Sequence, residues 1–156
     1  MLEAYSVMFA GHRYIENYAE IEGRLYQIIS DFMRKKDYIE FYVGDQGEFD
    51  QMATICIRRA KKNVRNDNSS LNLVLPYSRA NMGFVEKNFD SIIVPHELQG
   101  IHPKRAISAR NRWMVDRSDL LISYVTRHNG GAWQTHTYAQ KKRIEIINLG
   151  EVEKTD

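Results

Sequence analysis

Five short apolar runs punctuate this chain, each closed by a glycine, a proline or polar residues: AYSVMFA (4–10), YIEFYVG (38–44), LNLVLPY (71–77), DLLISYV (119–125) and IEIINL (144–149). LLISYV and IEIINL are nearly continuous rather than alternating, the pattern of strands covered on both faces. Between the runs, apolar residues recur at helical spacing. Ile15, Tyr18, Ala19, Leu25, Tyr26, Ile29, Phe32 and Met33 mark an amphipathic helix that ends in Arg34, Lys35 and Lys36, where cations favour the C-terminal end. Phe49, Met52, Ala53, Cys56 and Ala60 mark a second helix; a third runs from Pro103, well suited to a first turn, to Arg117. Strands that alternate with helices pair in parallel through right-handed crossovers. The expected class is therefore α/β. The expected architecture is a Rossmann-like three-layer sandwich with a mainly parallel sheet of about five strands, order 3-2-1-4-5, and a crevice between strands one and four. The stretch 78–102 fits this alternation poorly. Within it, MGFVEKNF (82–89) reads as a short helix and SIIVP (91–95) as a short strand or extended segment.

The bulk properties bound the function without naming it. With 156 residues, 43% of them hydrophobic and 27% charged, the chain reads as a single domain over 1–150 followed by a polar tail, EVEKTD (151–156). No apolar stretch approaches the roughly 20 residues of a membrane span. MLEAYSVMFAG lacks a basic n-region and reads as a first strand rather than a signal peptide. Cys56 stands alone, which excludes an internal disulfide framework. A cytoplasmic protein away from membranes is expected. The net charge of +2 is too weak to argue for nucleic acid, and RRAKKNVR (58–65) reads as the solvated end of an amphipathic helix. Nucleic acid is accordingly not expected as a partner. The histidines His12, His96, His102, His128 and His136 form no HxxxH or HExxH pair, so neither a metal nor a cofactor is expected.

Ligands of such a sheet bind beyond the carboxyl ends of its strands, and the uncommon residues collect there. Gly11, His12 and Arg13 follow the first strand, GDQGEFD (44–50) the second, Pro76 and Tyr77 the third, and NGGAWQT (129–135) the fourth. Gly44 with Gly47, and Gly130 with Gly131, permit positive φ and close backbone approach. Each pair precedes a helix whose free N–H groups and dipole favour an anion, and Thr135 could add a hydroxyl. The two loops read as halves of a phosphate cradle, joined by His12 and Arg13. For either loop alone, an ordinary strand-to-helix turn explains the glycines equally well; the convergence favours anion binding. Asp50 reads either as a site carboxylate or as an acid opening the second helix. Trp133 and Tyr138 either stack on a base or pack the last helix onto the sheet.

Taken in order, GHR, GDQGEFD, LPY and RNRWMVDRSDLLISYV…GGAWQTHTYAQKK…IINL resemble the SLOG superfamily, over roughly residues 5–149. That group includes the LOG phosphoribohydrolases, the DprA-type DNA-processing proteins and the YpsA-like proteins, and the YpsA-like branch looks closest. The resemblance implies binding of a nucleotide or nucleotide-derived small molecule across the glycine-rich loops, and a homo-oligomer, for which 78–102 is the candidate interface. Arg110, Met114 and Asp119 match an arginine, a methionine and an aspartate of the LOG pattern. Asn129 replaces its proline, the loop is one residue longer before Thr135, and Tyr138 stands where the LOG glutamate would be. That departure removes the carboxylate that assists the departing sugar, leaving Glu48, Asp50 and Asp116, with Arg110, as candidate catalytic residues. The expected function is a nucleotide-ligand sensor or sequestering module. The alternatives are a hydrolase of an N-glycosidic bond and an interaction protein that keeps the fold without a ligand.

Overall fold

The computed structural model describes residues 3–79 and 87–150. Six parallel strands form one sheet: β1 (Tyr5–Gly11), β2 (Ile39–Val43), β3 (Ser69–Val74), β4 (Ser91–Ile93), β5 (Leu120–Tyr124) and β6 (Glu145–Asn148), in the order β4-β3-β2-β1-β5-β6. Among the described residues, four helices connect them: α1 (Tyr18–Lys35), α2 (Glu48–Asn63), α3 (Pro103–Asp116) and α4 (Gly130–Lys142), with a 3₁₀ turn at His96–Leu98. This is the Rossmann-like three-layer arrangement.

The near-continuous apolar runs have a simple cause. Along β1, Val7 and Phe9 enter the core beneath α1 and α2, while Met8 and Ala10 enter the core beneath α3 and α4. In β5, Leu120 and Ile122 face the first core and Leu121 the second. With both faces covered, period-two alternation exchanges one apolar environment for another rather than core for water.

The sheet has six strands where the five principal apolar runs suggested five. The additional strand, β4, lies within SIIVP, read above as a short strand or extended segment; it is three residues long and partly exposed, and it forms the edge of the sheet. It is held by polar side chains: Ser91 Oγ donates to Asn72 Oδ1 at 2.6 Å, and Asn72 Nδ2 donates to the Phe41 carbonyl at 3.1 Å, which ties β4, β3 and β2 together. Helix α1 starts at Tyr18, not at Ile15, because Asn17 takes a left-handed conformation (φ 56°, ψ 48°) at its N-cap. Helix α3 starts as the sequence suggests, with Pro103 in its first turn and the His102 ring accepting from the Lys104 N–H at 3.1 Å. The tail at 151–156 lies outside the described residues, as does most of the helix expected over 82–89; residues 87–88 form a turn. Among the described residues, no helix is long and apolar enough to cross a membrane.

The chain leaves β1 toward α1 on one face, and reaches β5 through α3 on the other. The connections thus diverge at β1, and a crevice opens between the carboxyl ends of β1 and β5.

Candidate functional site

That crevice has a volume of about 320 Å³. The end of β1 and the residues after it contribute Gly11, His12, Arg13 and Tyr14; the α2 entry contributes Gln46 and Asp50. Helix α3 presents Ile107, Arg110, Asn111 and Met114, and the entry to α4 presents Arg127, Gly130, Gly131 and Ala132. Its charged side chains are three guanidinium groups against one carboxylate. Such a wall favours an anion.

His12 is set by the sheet itself. Its backbone N–H donates to the Tyr124 carbonyl at 3.1 Å, continuing the β1–β5 ladder, and its ring meets Tyr124 edge-on at 5.9 Å. Nε2 accepts from the Thr126 N–H at 2.9 Å, which leaves the ring proton on Nδ1. Nδ1 has no hydrogen-bond partner among the described residues. Burial, and then the Arg127 charge, lower the His12 pKa, so the ring is held neutral.

The start of α4 is open. Asn129 is extended and makes no cap bond; its side-chain oxygen instead accepts from Arg127 Nε at 2.9 Å, which fixes that guanidinium beside the helix start. Gly130 has φ +87°, and a Cβ added at Gly130 or Gly131 would meet nothing within 4 Å. The first turn carries no acidic residue. Its free N–H groups and the positive end of the dipole therefore face the crevice uncompensated.

The start of α2 is filled by the chain. The Glu48 N–H donates to the Arg13 carbonyl at 2.9 Å, and the Glu48 carboxylate accepts from the Ile15 N–H at 2.7 Å. Asp50, buried, accepts from the Gln46 N–H at 2.8 Å. Gly47 has φ +112° and lies so close to Arg13 that a Cβ would fall 2.6 Å from the Arg13 Cα. At Gly44 the space of a side chain is taken by Arg110, whose Nη1 would lie 2.7 Å from a Cβ, and by the Asp50 carboxylate at 3.0 Å.

Arg110 is 2% exposed, yet borders the crevice. Nη1 donates to the Val74 carbonyl at 2.8 Å and Nε to Asn111 Oδ1 at 2.9 Å. Burial lowers its pKa, opposed by the charges of Asp50 and Asp45. Burial likewise raises the pKa of Asp50, opposed by Arg110 and by the Gln46 N–H. The two buried charges hold each other, and Asp45 is in turn bound by both Nη atoms of Arg79.

The expected site residues thus divide. Gly11, His12, Arg13, Asp50, Arg110, Gly130 and Gly131 border one crevice, while Gly44 and Gly47 shape its wall from behind. Pro76 and Tyr77 follow β3 and do not line it. Thr135 is buried, and its hydroxyl donates to the Gly131 carbonyl at 3.0 Å within α4. Asp116 accepts from the Tyr138 hydroxyl at 2.7 Å on the far side of α4, so position 138 faces Asp116 and Lys142 rather than the crevice. Trp133 is flanked by His128 at 4.5 Å and His136 at 5.4 Å, both ring-centroid distances. Sequence reasoning passed over Tyr14, Arg127, Asn111 and Gln46. Arg127 lies two residues before NGGAWQT and Tyr14 directly after GHR; a place beside these loops is the one sequence signal either residue carries.

No family model and no curated protein matches the chain. Solved structures do. DNA processing protein A from Helicobacter pylori, described for its single-stranded DNA binding mode, aligns with a TM-score of 0.63 at 15% identity, over 92% of this chain and 64% of its own. DprA from Streptococcus pneumoniae aligns at 0.64 and 12% identity, over 92% of this chain and 50% of its own. The fold is DprA-like. The molybdenum cofactor carrier protein of Chlamydomonas reinhardtii shares it, at 0.62 and 11% identity, over 94% of this chain and 76% of its own. The likeness is one of fold, and this chain spans only about half to two-thirds of the two DprA chains.

The comparison corrects one expectation. Nucleic acid was set aside as a partner, yet a protein with this fold is described by its binding of single-stranded DNA. The physical error lies in using a whole-chain sum. A net charge of +2 says little about the local field where Arg13, Arg110 and Arg127 converge against Asp50 alone.

Proposed function

We propose that the crevice binds a nucleotide or nucleotide-derived ligand by its phosphate, and that the chain acts as a sensor or sequestering module. The observation that carries this reading is the open start of α4, uncapped and free of acids, with Arg127 fixed beside it and Arg13 across the crevice. A phosphate there would take backbone N–H bonds and charge-assisted bonds from arginine together. Hydrolysis is not part of the proposal, because position 138 holds a tyrosine bonded to Asp116 outside the crevice. Within the SLOG group we read the chain as nearest the YpsA-like branch, on Gly44, Gly47 and Asp50 after β2.

A second reading takes the same phosphate from a single strand of nucleic acid. It is favoured by the DNA-binding mode of the Helicobacter pylori protein on this fold. Calorimetric titration of the full chain separates the two: a panel of mononucleotides and ADP-ribose in one arm, oligothymidylates of increasing length in the other, each at two salt concentrations. A sensor saturates with mononucleotides. A strand binder gains affinity with oligomer length and loses it steeply with salt. If neither arm shows binding, both readings fall and an interaction protein without a ligand remains.

A further inference from the structure

Tyr14 is 81% exposed and yet borders the crevice. Other large aromatics around the site are engaged. Tyr124 accepts the Glu16 N–H at 3.1 Å, and Trp133 lies between two imidazoles. Tyr14 has neither a hydrogen-bond nor a ring partner among the described residues. Its backbone is nevertheless pinned on both sides. The Arg13 carbonyl accepts from Glu48, the Ile15 N–H donates to the Glu48 carboxylate, and the Glu16 N–H reaches Tyr124. The chain therefore holds a bare aromatic ring at the rim of a basic crevice on an ordered segment. The nine-tenths buried His12, with its Nδ1–H unmatched, lies two residues before it on the same crevice wall.

We infer that Tyr14 is a stacking platform for the planar base of the ligand, so that the site selects ligands carrying both a phosphate and an aromatic base. This inference rests on the phosphate-binding reading of the crevice. A tyrosine face gives sequence-tolerant stacking and costs little side-chain entropy to order, whereas the arginines and the start of α4 cannot tell a nucleotide from any other phosphate ester.

The test titrates the full chain with three probes: AMP, ribose 5-phosphate and inorganic phosphate. Three variants are compared with the parent, Tyr14→Ala, Tyr14→Trp and Arg127→Ala. Tyr14→Ala is expected to weaken AMP about tenfold and to leave ribose 5-phosphate unchanged, with Tyr14→Trp restoring AMP binding. Arg127→Ala is expected to weaken all three probes. If Tyr14→Ala leaves AMP binding intact while Arg127→Ala reduces it, the stacking inference is wrong and the phosphate reading stands. An equal loss for AMP and ribose 5-phosphate in Tyr14→Ala would also overturn stacking. If Arg127→Ala changes none of the probes, the phosphate reading itself fails.

Discussion

Helices α2 and α4 open onto the same edge of the sheet, each at a glycine of positive φ, and meet opposite environments. At α2, Gly47 is pressed against Arg13, and the first turn carries Glu48 and Asp50, which bind the backbone N–H groups of Ile15 and Gln46. The dipole is balanced by the helix's own acids, and the turn serves as a joint between the β1 and β2 ends. At α4 the glycines have open space, the first turn has no acid, and the cap residue spends its side chain on Arg127. A glycine before a helix says that something comes close. The acids of the first turn decide whether that something is the chain itself or a ligand.

The largest expected contrast follows from the glycines. Gly47 combines φ 112° with ψ −172°, a region that only glycine occupies readily, and a valine there would also strike the Arg13 backbone. Gly47→Val should lose about 3 kcal/mol of stability. Gly131→Val, placed in open space, should keep the parent Tm within roughly 2 °C while obstructing the anion position. Thermal melts of both, with a phosphate titration of the second, measure this. A Gly131→Val chain that unfolds as readily as Gly47→Val would mean that the two helix starts do not differ.

How much of this was legible in the sequence follows the same division. The sheet order and the four loops at its carboxyl edge were readable, because they depend on periodicity and on the direction of parallel crossovers. The difference between the two glycine loops was written in Glu48 and Asp50, but its meaning depends on what those carboxylates touch, here Ile15 and Gln46. Arg127 and Tyr14 were not legible as site residues: one arginine or tyrosine in a loop resembles any other until the fold shows where it points. Thr135 illustrates the converse error, since a hydroxyl beside a glycine loop looked like a phosphate donor until helix geometry gave it the Gly131 carbonyl.

Next in size is Arg127→Ala. The guanidinium is exposed and carries no ion pair among the described residues, so stability should stay within about 0.5 kcal/mol. Phosphate-ligand affinity should fall by a factor of about ten to a hundred, the value of a charge-assisted hydrogen bond. Calorimetry and a melt on the same sample give both numbers. Glu48→Ala should behave in the opposite way, losing about 1 kcal/mol through the stranded Ile15 N–H, with anion affinity little changed; Glu48→Gln, which keeps an acceptor, should recover part of the loss. If Glu48→Ala instead raised anion affinity by an order of magnitude, the α2 start would be a suppressed anion site rather than a joint.

The smallest effect is a pH dependence that distinguishes the open side of the site. Burial first, and then Arg127, hold the His12 pKa below its ordinary value of about 6.5. Protonation would put a hydrogen on Nε2, which now accepts from Thr126, and would add a charge facing Arg127 and the positive end of α4. Between the folded pKa and about 6.5 the unfolded chain therefore binds more protons, so stability rises with pH and is lost as the solution is acidified through that window. His136, also lowered by burial, contributes with the same sign. Melts from pH 7.5 to 5.5 should thus show a falling Tm, and in His12→Gln the fall should be shallower by about 2 °C. Saturating inorganic phosphate should shrink the difference between parent and variant, since an anion in the crevice stabilises the imidazolium. Parallel melting curves for parent and variant, with and without phosphate, would show that His12 lies outside the field of the α4 start, and the contrast between the two helices would then lose its electrostatic basis.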